Sequence, residues 1–102
     1  MNKYHAKRTE VDGHTFDSAK EARRYSELKL LERAGEIVGL RLQPKFPLVV
    51  NDTKIADYKG DFEYRDASGR RILEDTKGFK TPVYRLKKKL VRALYGIEIL
   101  ET

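Results

Sequence analysis

The 102-residue sequence has no cysteine and no tryptophan, and it contains only three prolines and one methionine. Without cysteine, disulfide bonds and thiolate-bound zinc are excluded, so we expect a reducing, cytoplasmic setting. No apolar run approaches the roughly 18 residues that a membrane-spanning helix requires, and the opening residues MNKYHAKRTE lack the apolar core of a signal peptide. A chain of this length supplies one hydrophobic core, and we expect residues 1–102 to form a single domain.

Charge is abundant, and its balance is basic. Charged residues make up 37% of the chain, and 22 Lys and Arg against 16 Asp and Glu give a net charge of +6. A basic surface suits a polyanionic partner, because each phosphate that it neutralises releases condensed counterions. The same charge also serves solubility alone. Composition therefore suggests nucleic-acid binding without deciding it.

Two segments carry the start and stop signals of helices. The first helix is predicted from residue 18 to about residue 34, and the second from residue 82 to about residue 94. A side-chain N-cap precedes each helix and a glycine follows it, and a proline at the first helical position strengthens the second start. These signals are Ser18 and Gly35 for the first helix, and Thr81, Pro82 and Gly96 for the second.

The remaining segments have the alternation and turn residues of β-structure. An Asp-Gly pair at residues 12–13 predicts an N-terminal hairpin, and two prolines suggest that the strand after the first helix is bent or lies at an edge. The order of hairpin, helix, three strands, helix and strand predicts an α+β or α/β fold with a mixed sheet between two helices. The strand segments after the first helix are 37–51, 54–65, 70–77 and 97–101.

Glu21 falls near the middle of the apolar arc that we predict for the first helix. An unpaired carboxylate that faces a sheet is costly unless it is paired, protonated or bound to a cation. Either Glu21 closes a capping box with Ser18, or it takes part in a site. The predicted arc consists of Ala22, Tyr25, Leu28 and Leu31.

The second helix carries both an apolar stripe and a dense set of cations. We predict that Val83, Leu86, Leu90 and Leu94 face the core, with Lys87 inside the same arc. Lys87 either covers the core with its aliphatic stem or is itself a cation held above the sheet near phosphates. The outward residues form either a solvated face or a DNA-facing one. They are Arg85, Lys88, Lys89 and Arg92.

Carboxylates mark the end of the strand RRILEDTK. Alternate residues of a strand share a face, so Asp75 and Lys77 point one way and Glu74 the other. If this strand pairs with residues 54–65, Asp61 lies beside Asp75, and one cation could bridge the two carboxylates. Asp57 is a rival to Asp61 on the same strand face. Oxygen ligands without histidine or cysteine favour Mg²⁺ or Mn²⁺.

From Lys3 to Glu101 the sequence resembles a small phage and prophage endonuclease branch of the PD-(D/E)XK nuclease superfamily. The similarity lies in FDSAKEARRY, LQPKF, EDTKGF and YRLKKKL, and it extends to phage Holliday-junction resolvases. It implies a restriction-endonuclease-like core with an acidic residue on the first helix, an aspartate and an acidic-x-lysine motif. The sequence departs from the pattern in having Gly60 where proline is common and Asp75 where glutamate is usual. The matching positions are Glu21, Asp61, Asp75 and Lys77, with Thr76 offering a backbone carbonyl to the metal.

The resemblance implies a Mg²⁺-dependent endodeoxyribonuclease that selects a DNA structure or is directed by a phage or host partner. Asp61, Asp75 and Glu21 would hold the ion, and Lys77 would orient or activate the water. We also expect a homodimer in the cytoplasm of a bacterial host. The alternative is a nucleic-acid-binding or phage interaction protein without catalysis. Predicted DNA contacts are Lys87, Lys80, Lys88, Arg85, Lys20 and Arg24.

Other residues with possible site roles have equally plain structural interpretations. His5 and His14 are interpreted as surface residues, and we assign them no metal. Gln43 either borders the site or ends a strand. The tyrosines either stack on bases or fill the core, and core burial is the prediction for most of them. They include Tyr4, Tyr58, Tyr64, Tyr84 and Tyr95.

Overall fold

A computed structural model describes residues 7–76 and 80–102. The chain starts with the predicted hairpin, formed by β1 (Thr9–Val11) and β2 (His14–Phe16). Asp12 and Gly13 join the strands with φ angles of 52° and 78°. Left-handed backbone at both central residues is what a tight two-residue hairpin turn requires. The Asp-Gly signal in the sequence therefore predicted this turn correctly.

The helix α1 (Ala19–Arg33) has the predicted N-cap, because the Ser18 hydroxyl accepts a hydrogen bond of 3.1 Å from the Glu21 amide. Its buried side is narrower than the predicted arc. Leu31 is exposed, because the strand that follows the helix does not extend over its last turn. The buried residues of α1 are Glu21, Ala22, Tyr25 and Leu28.

Among the described residues, α1 and the second helix, α2 (Pro82–Tyr95), are separated by five strands rather than the predicted three. Two of the expected strands each break in the middle, at residues 43–44 and at residues 60–61. Gln43 has a φ of 51°, which a continuous strand cannot accommodate. At each break the chain leaves one sheet and enters another. The five strands are β3 (Val38–Leu42), β4 (Lys45–Val50), β5 (Thr53–Lys59), β6 (Phe62–Arg65) and β7 (Arg71–Asp75).

The main sheet has four strands in the order β3-β6-β7-β8, where β8 is Ile99–Glu101. Strands β3, β6 and β7 are antiparallel neighbours, whereas β7 and β8 run parallel. A helix connects the parallel pair, as such a pairing requires. The predicted mixed sheet is therefore confirmed. Strands β4 and β5 form a separate antiparallel ribbon.

The side chains of the main sheet pack into two hydrophobic clusters. Phe62 and Tyr64 of β6 pack with α1 and the N-terminal hairpin. Leu73 of β7 and Ile99 of β8 pack with α2 and the β4–β5 ribbon. The molecule is therefore a mixed α/β structure in which each helix packs in a different hydrophobic cluster.

The helix α2 (Pro82–Tyr95) begins and ends as predicted. The Thr81 hydroxyl accepts a hydrogen bond of 3.0 Å from the Tyr84 amide, and Gly96 closes the helix with a φ of 67°. With 15 and 14 residues, α1 and α2 are the helices of residues 7–76 and 80–102. Neither is long and apolar enough to cross a membrane.

The prediction of which α2 residues face the core was right for Leu90, which packs against it, and wrong for the other three. Tyr84 and Val91 are the buried residues of this helix, whereas Val83, Leu86 and Leu94 are exposed. The tyrosine hydroxyl donates to Glu101 on β8 at 2.7 Å, which turns this side of the helix towards the sheet. The sequence pattern identified an apolar stripe correctly but assigned it to the wrong side of the helix.

Candidate functional site

Asp61 and Asp75 lie next to each other where β7 ends. Phe62 pairs with Glu74, and the Asp61 amide donates to the Glu74 carbonyl at 3.0 Å. Continuing this register by one position places Asp61 opposite Asp75, and their carboxyl groups share a hydrogen bond. The Thr76 amide donates to Asp61 Oδ2 at 2.6 Å. This bond holds one oxygen of the Asp61 carboxyl in place.

The carboxyl group of Glu21 approaches the same pair from α1. It is buried, and burial raises its pKa, with further increases from the charges of Asp17 and Asp75. The Asp17 amide donates to it and lowers the pKa. Glu21 therefore satisfies a free amide near the helix start and also lies within the electrostatic reach of Asp75. The predicted capping box is therefore formed only in part: the Ser18 hydroxyl accepts from the Glu21 amide, but the Glu21 carboxyl accepts from the Asp17 amide rather than from that of Ser18.

The pKa of Asp61 is raised to about 7. Burial is the largest cause, the carboxyl groups of Asp75 and Glu21 also raise the pKa, and the Thr76 amide opposes them. Three carboxylates close together repel one another. At neutral pH the cluster therefore retains a proton or attracts a cation.

A tyrosine from the separate ribbon supports Asp75. The hydroxyl of Tyr58 on β5 donates to Asp75 Oδ2, and both residues are buried. Burial raises the pKa of Tyr58, as does this hydrogen bond. Tyr84 lies beside it, with the two ring centres 6.5 Å apart. Sequence spacing gave no signal for this arrangement, because β5 belongs to a different sheet.

Glu74, the rival of Asp75, is engaged elsewhere. Arg24 Nε donates to its Oε1 at 2.8 Å and Nη2 to its Oε2 at 2.7 Å, and the Tyr64 hydroxyl also donates to it. Glu74 faces α1 while Asp75 faces Tyr58, as the alternation of the strand predicts. Arg24, a predicted DNA contact, is therefore held in a salt bridge.

Asp57, the rival of Asp61, also has other partners. Its Oδ2 lies 2.9 Å from Lys54 Nζ and 3.7 Å from Lys45 Nζ, and the hydrogen bond from Lys54 lowers its pKa. The break at residues 60–61 separates Asp61 from β5, the strand that carries Asp57. Asp61 is thus the aspartate that accompanies Asp75.

Several predicted DNA-binding residues line a groove of about 410 Å³ between α2 and the end of β8. Glu101 lies within it and binds Lys80 Nζ at 2.9 Å and Lys88 Nζ at 3.3 Å. The Tyr84 hydroxyl and these two lysines lower the pKa of Glu101 to about 2. The groove is strongly basic, because five cations outnumber two carboxylates. Its lining consists of Lys80, Tyr84, Arg85, Lys88, Lys89, Arg92, Glu98 and Glu101.

The other two predicted DNA contacts line smaller grooves. Lys87, half-buried, lies in a groove of about 260 Å³ with Tyr58 and Lys59. Lys20 lies in one of about 250 Å³ with Thr76 and the C-terminal Thr102. Sequence reasoning missed Lys59, whose charge lowers the pKa of Glu21. The signal was available, since Lys59 is two positions before Asp61.

The remaining predictions concern residues at the border of the site or beyond it. The Gln43 amide donates to the Asp61 carbonyl at 2.9 Å, so Gln43 holds the strand end next to the site. His14 is exposed and packs edge-on against the Tyr25 ring, 5.7 Å between centres. Lys77, Tyr4 and His5 lie outside the described residues.

Within residues 7–76 and 80–102, no group of three or more Asp, Glu, His or Cys residues is arranged closely enough to hold a metal ion. The carboxyl pair of Asp61 and Asp75 and the nearby Glu21 form a looser, all-oxygen cluster. Its donors suit a hard cation such as Mg²⁺ or Mn²⁺ rather than zinc. Further donors around it are backbone groups and tyrosine hydroxyls.

Comparison with known proteins places the chain in one family. Comparisons with curated proteins and with solved structures find no match. A family described as protein of unknown function (DUF1064) matches residues 1–99. Since this match covers nearly the whole sequence, the chain belongs to the DUF1064 family.

Proposed function

We propose that this protein is a divalent-metal-dependent endonuclease that hydrolyses phosphodiester bonds in DNA. The observation that carries the proposal is the meeting of three carboxyl groups from separate parts of the chain at one end of the main sheet. Glu21 comes from α1, Asp61 from the break before β6, and Asp75 from the end of β7. Burying like charges together is costly unless a cation compensates for them. If the function requires that cation, the electrostatic cost of placing the three carboxyl groups together is explained.

The donors of Asp61 and Asp75 are oxygen atoms, which hard divalent cations prefer. The hydrogen bond between the two carboxyl groups raises the pKa of Asp61, and a cation bound by both groups would replace that hydrogen bond. Asp61, Asp75 and the Thr76 carbonyl would hold the ion, with Glu21 completing the set. When bound, Mg²⁺ or Mn²⁺ would polarise a phosphoryl oxygen and lower the pKa of a coordinated water.

The residues around the cluster orient its carboxyl groups and add positive charge. The Tyr58 hydroxyl and the Thr76 amide each orient one carboxyl oxygen of the aspartate pair. Lys77 follows the cluster directly in sequence and, by resemblance, orients the attacking water. Lys59 adds a second ammonium group near Glu21. Such cations stabilise the charge that develops on a phosphate in the transition state.

The element order supports a restriction-endonuclease-like core. The chain contains, in this order, an acidic helix, antiparallel strands that end at the carboxylates, a second helix and a strand parallel to β7. In this interpretation the five strands β3 to β7 correspond to the three expected strands, two of which are broken into two pieces each. The β4–β5 ribbon is the product of those breaks.

The basic grooves favour nucleic acid as the substrate. The α2–β8 groove and the grooves that contain Lys87 and Lys20 surround the strand end that carries Asp75. Contacts of this kind bind the phosphate backbone and carry little sequence information. With about 100 residues the protein has little surface for reading bases. We therefore propose a structure-selective or partner-directed nuclease.

A nucleic-acid-binding protein without catalysis is the second candidate. The net charge of +6 and the basic groove on α2 favour it. It leaves unexplained why carboxyl groups gather beside that groove, since they repel phosphate in the absence of a cation. The catalytic proposal accounts for both features.

The deciding experiment is a cleavage assay on branched, single-stranded and duplex DNA with Mg²⁺, Mn²⁺ or EDTA. Wild type is compared with Asp61→Asn, Asp75→Asn and Lys77→Ala, and with the matched control Asp57→Asn, whose carboxylate is paired with lysines. We expect cleavage by wild type and the control, and at least a hundredfold loss in the three site variants. Fluorescence anisotropy should show that all five proteins still bind DNA. Equal cleavage by all variants, or DNA binding without metal-dependent cleavage in wild type, would overturn the catalytic proposal.

A further inference from the structure

The helix α2 has an apolar stripe that the described residues cover only in part: Leu90 packs against the core, whereas its neighbours on the stripe are exposed. Val83 and Leu86 are 61% and 56% exposed, and Leu94 is 40% exposed. The three side chains lie within about 80° of one another around the helix axis and about 100° away from the buried pair Tyr84 and Val91. We call Val83, Leu86 and Leu94 the α2 stripe. Such an aligned set of exposed apolar side chains is typical of an interaction surface.

A second uncovered apolar surface is at the end of the β4–β5 ribbon. Every residue from 49 to 55 is exposed, including Val49, Val50 and Ile55. The ribbon turns at Asn51 and Asp52, both with positive φ, so the two strands are held in a tight two-residue hairpin. We call residues 49–55 the ribbon tip. A two-stranded ribbon is marginally stable unless another surface covers it.

The shape of the chain fits a partner that covers both surfaces. The radius of gyration is 14.5 Å, with extents of 40 × 40 × 20 Å, whereas a compact domain of this length has a radius of about 13 Å. The molecule is therefore flat and extended. Its buried ribbon residues end at Leu48 on β4 and Tyr58 on β5, so the tip lies beyond the core.

Charge decides which surface can cover the α2 stripe. The helix carries five Lys or Arg residues and no Asp or Glu, so two copies of α2 packed directly together would repel each other. The ribbon tip carries one Asp and one Lys, Asp52 and Lys54, and its exposed β-branched residues are apolar. The tip is thus a surface of this chain that can cover the stripe without adding like charge.

We propose that two copies of the chain associate by exchanging ribbon tips, so that the tip of each copy packs on the α2 stripe of the other. Ile55 and its neighbours would cover Leu86 and the residues beside it. A twofold arrangement forms this contact twice, because residue i contacts residue j and j contacts i. This inference rests on exposure, shape and charge, and does not depend on nuclease activity.

The first test is the mass of the protein in solution, measured by light scattering and analytical ultracentrifugation over the micromolar range. We expect a dimer for wild type and a monomer for Leu86→Glu and Ile55→Glu. The matched control is Leu30→Glu, which places the same charge on a leucine of α1 that is 64% exposed. This control should remain dimeric. Circular dichroism verifies that each variant folds. A wild-type monomer at all concentrations would overturn the proposal.

The second test locates the contact without depending on a destabilising substitution. The chain has no native cysteine, so Ile55→Cys and Leu86→Cys each carry one thiol, and a bifunctional maleimide links only these positions. A mixture of the two variants should give a covalent heterodimer in much higher yield than either variant alone. The control mixture pairs Leu86→Cys with Leu30→Cys. A dimer whose mixed cross-link does not exceed this control would overturn the exchange of tips.

Discussion

The guanidinium group of Arg24 and the carboxylate of Glu74 form a two-pronged salt bridge between α1 and β7, with N···O distances of 2.8 and 2.7 Å. Glu74 is completely buried, and its side chain also accepts a hydrogen bond from Tyr64. The bond to Glu74 raises the pKa of Arg24. Because α1 carries Glu21 and β7 carries Asp75, this salt bridge fixes the relative positions of two carboxylates of the proposed site.

Arg24→Ala should lower the free energy of unfolding by about 3 kcal/mol, because it leaves a buried carboxylate without its counter-charge. Urea denaturation measures the loss. Arg23→Ala, at the exposed neighbouring position, should change the free energy by less than about 0.5 kcal/mol. Adding Glu74→Gln to Arg24→Ala should recover much of the loss, since it removes the unpaired charge. A loss below about 1 kcal/mol for Arg24→Ala would contradict the interpretation of a critical buried pair.

Asp61→Asn should stabilise the metal-free protein at high pH. Because the folded state raises the pKa of Asp61 from 3.8 to about 7, it binds the proton more tightly than the unfolded state does. Stability therefore falls as pH rises from about 4 to about 7, and asparagine avoids this loss. In EDTA, Asp61→Asn should melt at a higher temperature than wild type at pH 8 and at a similar one at pH 4. Each kcal/mol corresponds to about 4–8 °C.

Asp57→Asn is the matched control for this pH dependence. Lys54 lowers the pKa of Asp57, so its contribution to stability is present above pH 4 and disappears in acid, which is the opposite sign. Adding Mn²⁺ at pH 8 should raise the melting temperature of wild type and of Asp57→Asn, because an ion that binds only the folded state stabilises it. Asp61→Asn should show a much smaller increase. Equal increases in all three proteins would place the ion away from Asp61.

The ends of both helices and the N-terminal turn were predictable because their signals are local. Ser18, Thr81 and Gly96 act on amides and carbonyls within four residues along the chain. The pairing that places Asp61 beside Asp75 was also predictable, because a strand alternation and a turn at residues 67–69 set the register. These predictions needed no knowledge of the partner elements.

The broken strands and the orientation of α2 depend on tertiary contacts. Gly60 donates its amide to the Pro44 carbonyl at 2.9 Å, so the two breaks support each other across the molecule, and neither is visible in its own segment. In α2, either the apolar stripe or the side that carries Tyr84 could face the core. The side with Tyr84 does so, and its hydroxyl donates to Glu101, a contact that the apolar pattern did not indicate.

Gly60→Ala should destabilise the protein by about 1–3 kcal/mol, the usual cost of overpacking. An added Cβ would lie 2.8 Å from Leu73 Cδ1 and 3.4 Å from the Tyr58 ring, and Leu73 is fully buried. Thermal unfolding measures the effect. Gly60→Pro should cost more, because it also removes the hydrogen bond to Pro44. The proline that is common at this position in the resembling nucleases would not fit here.

A control for Gly60→Ala is Ala67→Gly, a change of similar size in the exposed turn before β7. It should alter the melting temperature little, because no packed side chain is affected. A Gly60→Ala protein as stable as wild type would show that Leu73 can move aside.

Glu101→Gln should separate stability from DNA binding in the α2–β8 groove. The Tyr84 hydroxyl, Lys80 and Lys88 lower the pKa of Glu101 from 4.5 to about 2, so its contribution to stability is complete above about pH 5 and is lost as pH falls towards 2. The variant should unfold at a lower urea concentration than wild type at pH 7, and this gap should shrink at pH 3.

Removing the carboxylate frees Lys80 and Lys88, so DNA affinity at low salt should rise with a steeper salt dependence. Glu98→Gln, whose exposed carboxylate lies 3.5 Å from Arg92, should leave the stability nearly unchanged. Weaker DNA binding by Glu101→Gln would mean that DNA does not use this groove.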